Sequence, residues 1–103
     1  MTEQAAKLQI FPEEYRADLE RAVQILRGGG CSEVHVFGSV AEGRTRKGSD
    51  IDLAVRGCQP ERFFSLLGEL LTELEHPVDL VDLDRESRLV DFLQKHWLLV
   101  HVG

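Results

Sequence analysis

The chain has 103 residues, of which 43% are hydrophobic and 29% charged, an ordinary mixture for a globular domain that buries one core. The formal net charge of −6 argues against direct nucleic-acid binding, because such proteins normally present a basic face to the phosphates. No apolar run is long enough to span a bilayer, so no membrane association is expected.

The first predicted element is a helix from Pro12 to about Arg27, where apolar residues recur at steps of three and four. Pro12 suits the first turn of this helix, and the glycines at 28–30 end it. The segment "SEVHVFG" then predicts a strand over residues 33–37. Residues 39–43 predict a single helical turn directly after that strand.

The second half of the chain repeats this alternation of strands and helices. After a polar, basic loop, "DIDLAV" predicts a second strand, and Pro60 begins another amphipathic helix. "HPVDLVDL" predicts a third strand, and Asp84 is expected to cap a final helix that runs to about Lys95. "WLLVHV" predicts a short fourth strand. Trp97 and Phe92 are expected to lie in the core.

The connections between these elements predict how the strands pair. The first two strands are joined by a loop too short for a helical crossover, which favours antiparallel pairing. The second and third are joined by a full helix, which favours parallel pairing. The predicted fold class is therefore α+β (mixed α/β), with a small mixed sheet of three to four strands and helices packed on it, in a single domain over residues 1–103.

Two cysteines, Cys31 and Cys58, bear on the cellular compartment. They lack the spacing of a zinc site or a CxxC motif, and the N-terminal segment has no apolar run typical of a signal peptide. We therefore expect a reduced pair, one buried and one on a loop, in a cytoplasmic protein.

The second strand carries two acids in an otherwise apolar run. Asp50 and Asp52 flank Ile51, so they share one face of the strand, about 7 Å apart along the backbone. Two ionised carboxylates about 4 Å apart repel by roughly 4 kcal/mol at an effective dielectric constant of about 20. A divalent cation between them reverses the sign of that interaction. Oxygen ligands of this kind suit Mg²⁺.

A third carboxylate is expected from the third strand, which the helical crossover places beside the second. Alternation puts Asp79 and Asp82 on opposite faces and does not choose between them. Asp79 lies among apolar residues, where a charge needs a reason, whereas solvent explains Asp82 and Asp84 near the end of the strand. We therefore choose Asp79. The alternative is a solvated sheet face with scattered acids.

The turn at Gly38 and Ser39 is predicted to be an anion site. A strand that ends in Gly-Ser and turns into a short helix exposes backbone N–H groups and a hydroxyl. Gly38 lets a phosphate approach the backbone closely. Arg44, Arg46 and Lys47 in the following loop carry positive charge that either contacts phosphates or belongs to an ordinary solvated loop.

These residues together resemble a known family. Gly38-Ser39, ten further residues and then Asp50-Ile51-Asp52 is similar to the signature of the DNA polymerase β-like nucleotidyltransferase superfamily. The length, "SDIDLAV" and the later "PVDLVDL" resemble its minimal nucleotidyltransferase (MNT) branch, and the resemblance extends from residue 34 to the C-terminal "LLVHV". It implies a nucleotidyltransferase fold and Mg²⁺-dependent transfer of a nucleoside monophosphate from a triphosphate, with pyrophosphate as the leaving group.

The resemblance also implies roles for individual residues. Asp50, Asp52 and Asp79 match the carboxylates that bind metal, expected to be two Mg²⁺ ions, and Asp79 also matches the base that activates the acceptor hydroxyl. Gly38 and Ser39 match the pair that binds the triphosphate. The chain departs from the family where a basic residue is common after Gly-Ser, because Val40 and Glu42 stand there.

The same resemblance implies a partner. Many MNT proteins are antitoxins of HEPN-domain ribonuclease toxins, and members of the family transfer AMP from ATP to a tyrosine of the toxin. We therefore expect an active antitoxin; homo-oligomers and hetero-oligomers are both open, because the sequence does not reveal the oligomeric state. One alternative is a catalytically idle module that neutralises its partner by direct contact. A less favoured alternative is transfer to a small molecule such as an aminoglycoside, which needs an acceptor-binding domain for which 103 residues leave no room.

Overall fold

A four-stranded sheet organises the chain in the computed structural model, which describes residues 3–46 and 48–103. The helices are α1 (Glu3–Leu8), α2 (Glu13–Gly28), α3 (Gly38–Glu42), α4 (Pro60–Glu73) and α5 (Arg88–His96). The strands are β1 (Glu33–Phe37), β2 (Ile51–Arg56), β3 (Val78–Asp82) and β4 (Val100–His101). The predicted α+β class is confirmed, although the sequence analysis did not anticipate α1.

The strands lie in the order β3-β2-β1-β4, and the predicted pairing is confirmed. β1 runs antiparallel to both β2 and β4, whereas β2 and β3 are parallel. The physical reason is the length of each connection, since the α4 crossover carries the chain back to the same end of the sheet. β2, the strand that carries the Asp50–Asp52 motif at its start, is therefore paired on both sides.

The two faces of β2 pack against different layers. Ile51, Leu53 and Val55 are fully buried in the main core, which includes the apolar stripes of α2 and α4. On the opposite face, Ala54 lies in a smaller cluster. The other buried members come from β1, from the residue after β3 and from α5: Phe37, Leu83, Val90 and Leu93. Strand alternation therefore separates a deep core from a thinner layer, and Asp52 belongs to the thinner side.

The start of α5 differs from the prediction. Ser87, not Asp84, caps the helix, because its Oγ accepts a hydrogen bond of 3.1 Å from the Val90 amide. Asp84 instead accepts a bond of 2.6 Å from the Gly57 amide. The ladder explains the shift, since the Leu83 amide still donates to β2, so residue 84 must lie in a turn rather than at a helix start.

The expected core position of Trp97 and Phe92 is wrong. The side chains are 39% and 51% exposed, respectively. Val90 and Leu93, three residues apart on α5, occupy the buried side of this helix, so Phe92 falls outside it. Trp97 touches the cluster only at its margin, with its ring in edge contact with Phe37 at a centroid distance of 6.2 Å.

The two cysteines are joined, which corrects the expectation of a reduced pair. Cys31 and Cys58 are both buried and form a disulfide that closes a separation of 27 residues. The antiparallel register accounts for the pairing, because Glu33 lies opposite Arg56 and the cysteines are two residues beyond each of them. None of the helices in the described ranges is long and apolar enough to cross a membrane.

Candidate active site

Asp52 and Asp79 are direct neighbours on adjacent strands. In the parallel register of β2 and β3, Asp52 lies opposite Asp79, and on its other side Asp52 lies opposite Phe37 at the end of β1. Residues opposite each other in a ladder project their side chains to the same face. The structure thus brings Asp79 to Asp52, whereas Asp82 lies opposite Val55 at the far end of β3.

The electrostatics of Asp52 reflect this crowding. The pKa of Asp52 is raised from 3.8 to about 6, first by partial burial and then by the charges of Asp79 and Asp50 and a hydrogen bond with Asp79. Each of these causes penalises the ionised form. Asp50, which immediately precedes β2, is therefore close enough to act on Asp52. Three acids concentrate negative charge at one end of the central strand.

Gly38 lies against the same carboxylate. Its φ of 72° belongs to the left-handed region, which glycine adopts without steric cost. A Cβ atom at this position would clash with Oδ2 of Asp52. Both the backbone conformation and the contact therefore require glycine here. The Gly-Ser turn predicted as an anion site and the acidic pair predicted as a metal site form one continuous surface.

Ser39 lies in the first turn of α3, and its carbonyl oxygen accepts a bond of 2.9 Å from the Arg44 amide. The Arg44 guanidinium itself is bonded to Glu42 at 2.5 Å. The loop beyond is closed by Ser49, whose Oγ accepts from the Arg46 amide at 2.7 Å. Lys47, the third predicted phosphate contact, lies outside the described residues. Glu42, at a position where a basic residue is common, thus engages the nearest arginine of the loop.

The acidic cluster is the candidate site for Mg²⁺. Among the described residues, no group of three or more His, Cys, Asp or Glu side chains is arranged to hold a metal ion as it stands. Asp52 and Asp79 nevertheless offer only carboxylate oxygens, the donors that Mg²⁺ prefers, and Asp50 lies beside them. Their mutual repulsion is the interaction that a bound cation relieves. The donor set therefore fits magnesium in its chemistry.

One contact that the sequence analysis missed holds β3 in position. Asp18 of α2 accepts hydrogen bonds from the backbone amides of Glu75 and His76, and its Oδ2 lies 2.7 Å from Nδ1 of His76. Because these residues immediately precede β3, the contact fixes the start of the strand that carries Asp79. The available signal was the spacing, because Asp18 lies three residues after Tyr15 and four before Ala22, within the buried stripe of α2.

Comparisons with known proteins identify the family to which this fold belongs. The family model described as "Polymerase beta, Nucleotidyltransferase" matches residues 20–98. A solved structure assigned as a minimal nucleotidyltransferase is 30% identical, with 84% of this chain and 92% of that chain covered and a TM-score of 0.64. No curated protein matches the chain.

Two solved toxin–antitoxin complexes are also similar. One, a toxin–antitoxin with AMP-PNP, is 26% identical over 78% of this chain and 69% of that chain, with a TM-score of 0.63. The other holds a tri-AMPylated Shewanella oneidensis HEPN toxin with an MNT antitoxin; it is 25% identical over 73% of this chain and 60% of that chain, with a TM-score of 0.54.

The family model covers more than half of the chain, and the match to the minimal nucleotidyltransferase covers 92% of that protein's length. The chain therefore belongs to the polymerase beta nucleotidyltransferase family. The predicted resemblance to this family and the predicted enzyme class, nucleotidyltransferase, are confirmed.

Proposed function

We propose that this chain is an antitoxin that transfers AMP from ATP to a tyrosine of a HEPN-domain toxin protein, in an Mg²⁺-dependent reaction. The observation that best supports this function is that Asp52 lies opposite Asp79 and against Gly38, in a chain that belongs to the nucleotidyltransferase family. The similar complexes, one with AMP-PNP and one with a tri-AMPylated HEPN toxin, supply the nucleotide and the acceptor for the proposal.

In the proposed site, the residues of the chain divide the work. Asp50, Asp52 and Asp79 would hold the magnesium ions, which would supply positive charge to the triphosphate oxygens. The backbone at Gly38 approaches the phosphates closely, and the Ser39 hydroxyl donates a hydrogen bond to them. Arg46 and Lys47 add positive charge near the triphosphate. Arg44 does so as well if its guanidinium leaves Glu42.

The reaction itself is an in-line displacement at the α-phosphorus. The tyrosine oxygen forms a bond to this phosphorus while the bond to the pyrophosphate oxygen breaks. The phenolic proton passes to the Asp79 carboxylate, which is exposed and therefore accessible to an incoming acceptor. Pyrophosphate leaves with the bonding electron pair. Asp52 is partly buried and serves as a ligand rather than as the base.

A second function has one observation in its favour. The Glu42–Arg44 pair removes positive charge from the loop that follows the Gly-Ser turn, which weakens the attraction for a triphosphate. A catalytically idle module that neutralises its partner by covering it would be compatible with this feature. In that case the acidic cluster would contribute nothing to inhibition of the toxin.

One experiment separates the two functions. The purified protein is incubated with Mg²⁺, ATP labelled at the α-phosphorus and the HEPN protein encoded beside it. The enzyme predicts label on a toxin tyrosine, lost in Asp52→Asn and Asp79→Asn but retained in Asp91→Asn, a control aspartate exposed on α5. Inhibition of the toxin without label, equally by wild type and Asp52→Asn, would support the idle module instead.

We further propose that the protein acts in the cytoplasm, where its triphosphate substrate is available. Disulfides are rare in that compartment, so the Cys31–Cys58 bond makes this proposal testable. Rapid alkylation of thiols during lysis of producing cells should label both cysteines if the reduced form predominates in the cytoplasm. Protection of both cysteines would argue for an oxidising location.

A further inference from the structure

The outer side of β3 is an open strand edge. β3 is the last strand in the sheet order, and no strand of the described residues pairs with its outer side. The Pro77 carbonyl and the Leu83 amide both bond to β2, at 2.8 Å each. In a parallel ladder the residues of the other parity direct their N–H and C=O groups away from the partner. Val78 and Leu80 thus present their backbone groups outward.

An apolar cleft of about 750 Å³ runs along this edge. Its floor is the second half of β3, with Leu80 and Val81 among the lining residues. α4 contributes Phe64 on one side and α5 contributes Leu89 on the other; these side chains are 75% and 58% exposed. An unpaired strand edge between two exposed apolar walls is the arrangement that accepts an additional strand.

We propose that this cleft binds an extended segment of a protein partner, which adds to the sheet as a strand beside β3. The inference rests on the proposed function in one respect: it assigns the segment to the protein that accepts AMP. Because β3 begins next to Asp79, a partner held along this edge is kept beside the acidic cluster. Backbone hydrogen bonds to Leu80 supply affinity, and alternate side chains of the segment contact the α4 wall and the α5 wall.

Charge determines which kind of segment fits. Asp79 is exposed on the strand, and Asp82 and Glu86 line the cleft, where Arg85 is the opposing charge among its lining residues. The segment should therefore combine apolar residues at alternate positions with basic residues between them. A basic side chain opposite Asp82 or Asp79 gains a charge-assisted contact, and an acidic one is repelled.

The same charges disfavour a second copy of this chain as the occupant. Antiparallel pairing of two β3 edges about Leu80 would place Val78 of one copy opposite Asp82 of the other. It would gather Asp79 and Asp82 from both copies along one seam. Each copy already carries a net charge of −6. Like charges on directly opposed or diagonal positions destabilise a strand pair, so a basic partner segment fits this edge better than a copy of the chain.

The first test uses a synthetic peptide in which valine alternates with lysine, and amide hydrogen exchange of the full protein as the readout. Binding along the edge should slow exchange at Leu80 while residues of β4, on the opposite edge, keep their rates. A control peptide with the same side chains and N-methylated amides should give no protection, because it lacks the donors of a strand pair. Equal protection by both peptides would overturn strand addition.

Matched surface variants test the walls of the cleft. Leu89 and Leu98 are 58% and 56% exposed, but only Leu89 lines the cleft. Leu89→Asp should weaken binding of the peptide by about tenfold or more, while Leu98→Asp should leave it within about twofold. Phe64→Asp and Leu71→Asp form a second pair on α4. Equal losses within either pair would contradict the assignment of the surface.

The remaining outcomes separate this inference from the proposed function. Asp52→Asn should bind the peptide like wild type, since it does not line the cleft. Protection of Leu80 by the peptide, together with no AMP transfer to the HEPN protein, would count against the proposed function and leave the docking surface standing. Sedimentation as a dimer that Leu89→Asp dissolves and that excludes the peptide would overturn the docking of a partner segment.

Discussion

Asp18 and Asp52 are two acids removed from water in opposite ways. Asp18, which is 7% exposed, accepts hydrogen bonds from the amides of Glu75 and His76 at 3.1 and 2.9 Å, and its Oδ2 meets the His76 ring. Asp52 instead has two carboxylates as its neighbours, Asp79 across the ladder and Asp50 before it. The fold supplies donors to the first acid and further negative charge to the second.

These surroundings distinguish an acid that stabilises the structure from one that is available for chemistry. A buried carboxylate with its donors in place stabilises the segments that provide them. A carboxylate whose surroundings oppose its ionised form costs stability, and that cost is retained when the charge has another use. Asp18 thus anchors the start of β3, and the acidic cluster that β3 completes is the candidate for a cation.

The largest effect expected from this comparison is on Asp18. Asp18→Ala leaves two backbone amides and the His76 ring without their acceptor inside the protein, so the free energy of unfolding should fall by about 3 kcal/mol. Urea denaturation followed by circular dichroism measures this change. Asp18→Asn keeps one acceptor oxygen and should recover part of the loss. A change near zero for Asp18→Ala would remove the structural half of the comparison.

The next effect comes from the contact of the Gly-Ser turn with Asp52. Gly38 and Gly43 have nearly the same φ, 72° and 71°, but a Cβ at Gly38 meets Oδ2 of Asp52 and a Cβ at Gly43 meets nothing within 4 Å. Gly43→Ala should therefore cost only the left-handed backbone term, about 1 kcal/mol, and Gly38→Ala about 2 kcal/mol in free energy of unfolding.

A double variant decides whether the excess comes from Asp52. In an Asp52→Ala background most of the cost of Gly38→Ala beyond that of Gly43→Ala should disappear, because the clashing carboxylate is gone. An excess that survives unchanged would show that Gly38 is required for its backbone alone.

Much of this site could be predicted from the sequence, because its geometry follows from local rules. Strand alternation places Asp50 and Asp52 on one face, and the α4 crossover forces β3 beside β2. What alternation could not decide was the register, and the register selects Asp79 over Asp82 as the neighbour of Asp52. That choice rested on the apolar setting of Asp79.

The features that were missed depend on tertiary contacts. Helical spacing places Asp18 in the buried stripe of α2, but it does not reveal the donors, which come from residues 75 and 76, more than fifty positions away. Asp84 is a residue type that often caps helices, but the Leu83 amide is hydrogen-bonded to β2. The chain therefore turns after β3, and the cap of α5 is Ser87. The Cys31–Cys58 pairing was open to prediction, since the antiparallel register of β1 and β2 brings these positions together.

A smaller effect, of opposite sign to that of Asp18, is expected at Asp52. Its pKa is raised from 3.8 to about 6 in the folded chain, so the folded state holds the proton more tightly than the unfolded state. The contribution of Asp52 to stability is therefore fully present below about pH 4 and is lost as the pH rises through about 6.

Asp52→Asn removes the charge and should stabilise the metal-free protein above about pH 6.5, by about 1 kcal/mol after allowance for solvent screening. The gain should vanish near pH 4, where wild type is already protonated at this position. Thermal unfolding of both proteins in EDTA across this pH range measures the difference. Destabilisation by Asp52→Asn at neutral pH would place Asp52 in the same structural class as Asp18.

The smallest expected effect is the response of the acidic cluster to its proposed cation. Mg²⁺ that binds only the folded state raises the melting temperature. For a weakly bound ion without nucleotide, the free energy of unfolding increases by less than about 1 kcal/mol. ATP should enlarge it, because phosphate oxygens complete the coordination of magnesium.

Asp50→Asn should abolish the shift while leaving the metal-free protein as stable as wild type, because it removes a donor and also one repulsion on Asp52. Asp84→Asn, an acid bonded to the Gly57 amide instead, should keep the full shift from a lower starting stability. Two results together would contradict this assignment: a loss of metal-free stability in Asp50→Asn and a loss of the magnesium-induced rise in melting temperature in Asp84→Asn. Asp50, an acid of the crowded cluster, would then be structural, and the hydrogen-bonded Asp84 would bind magnesium.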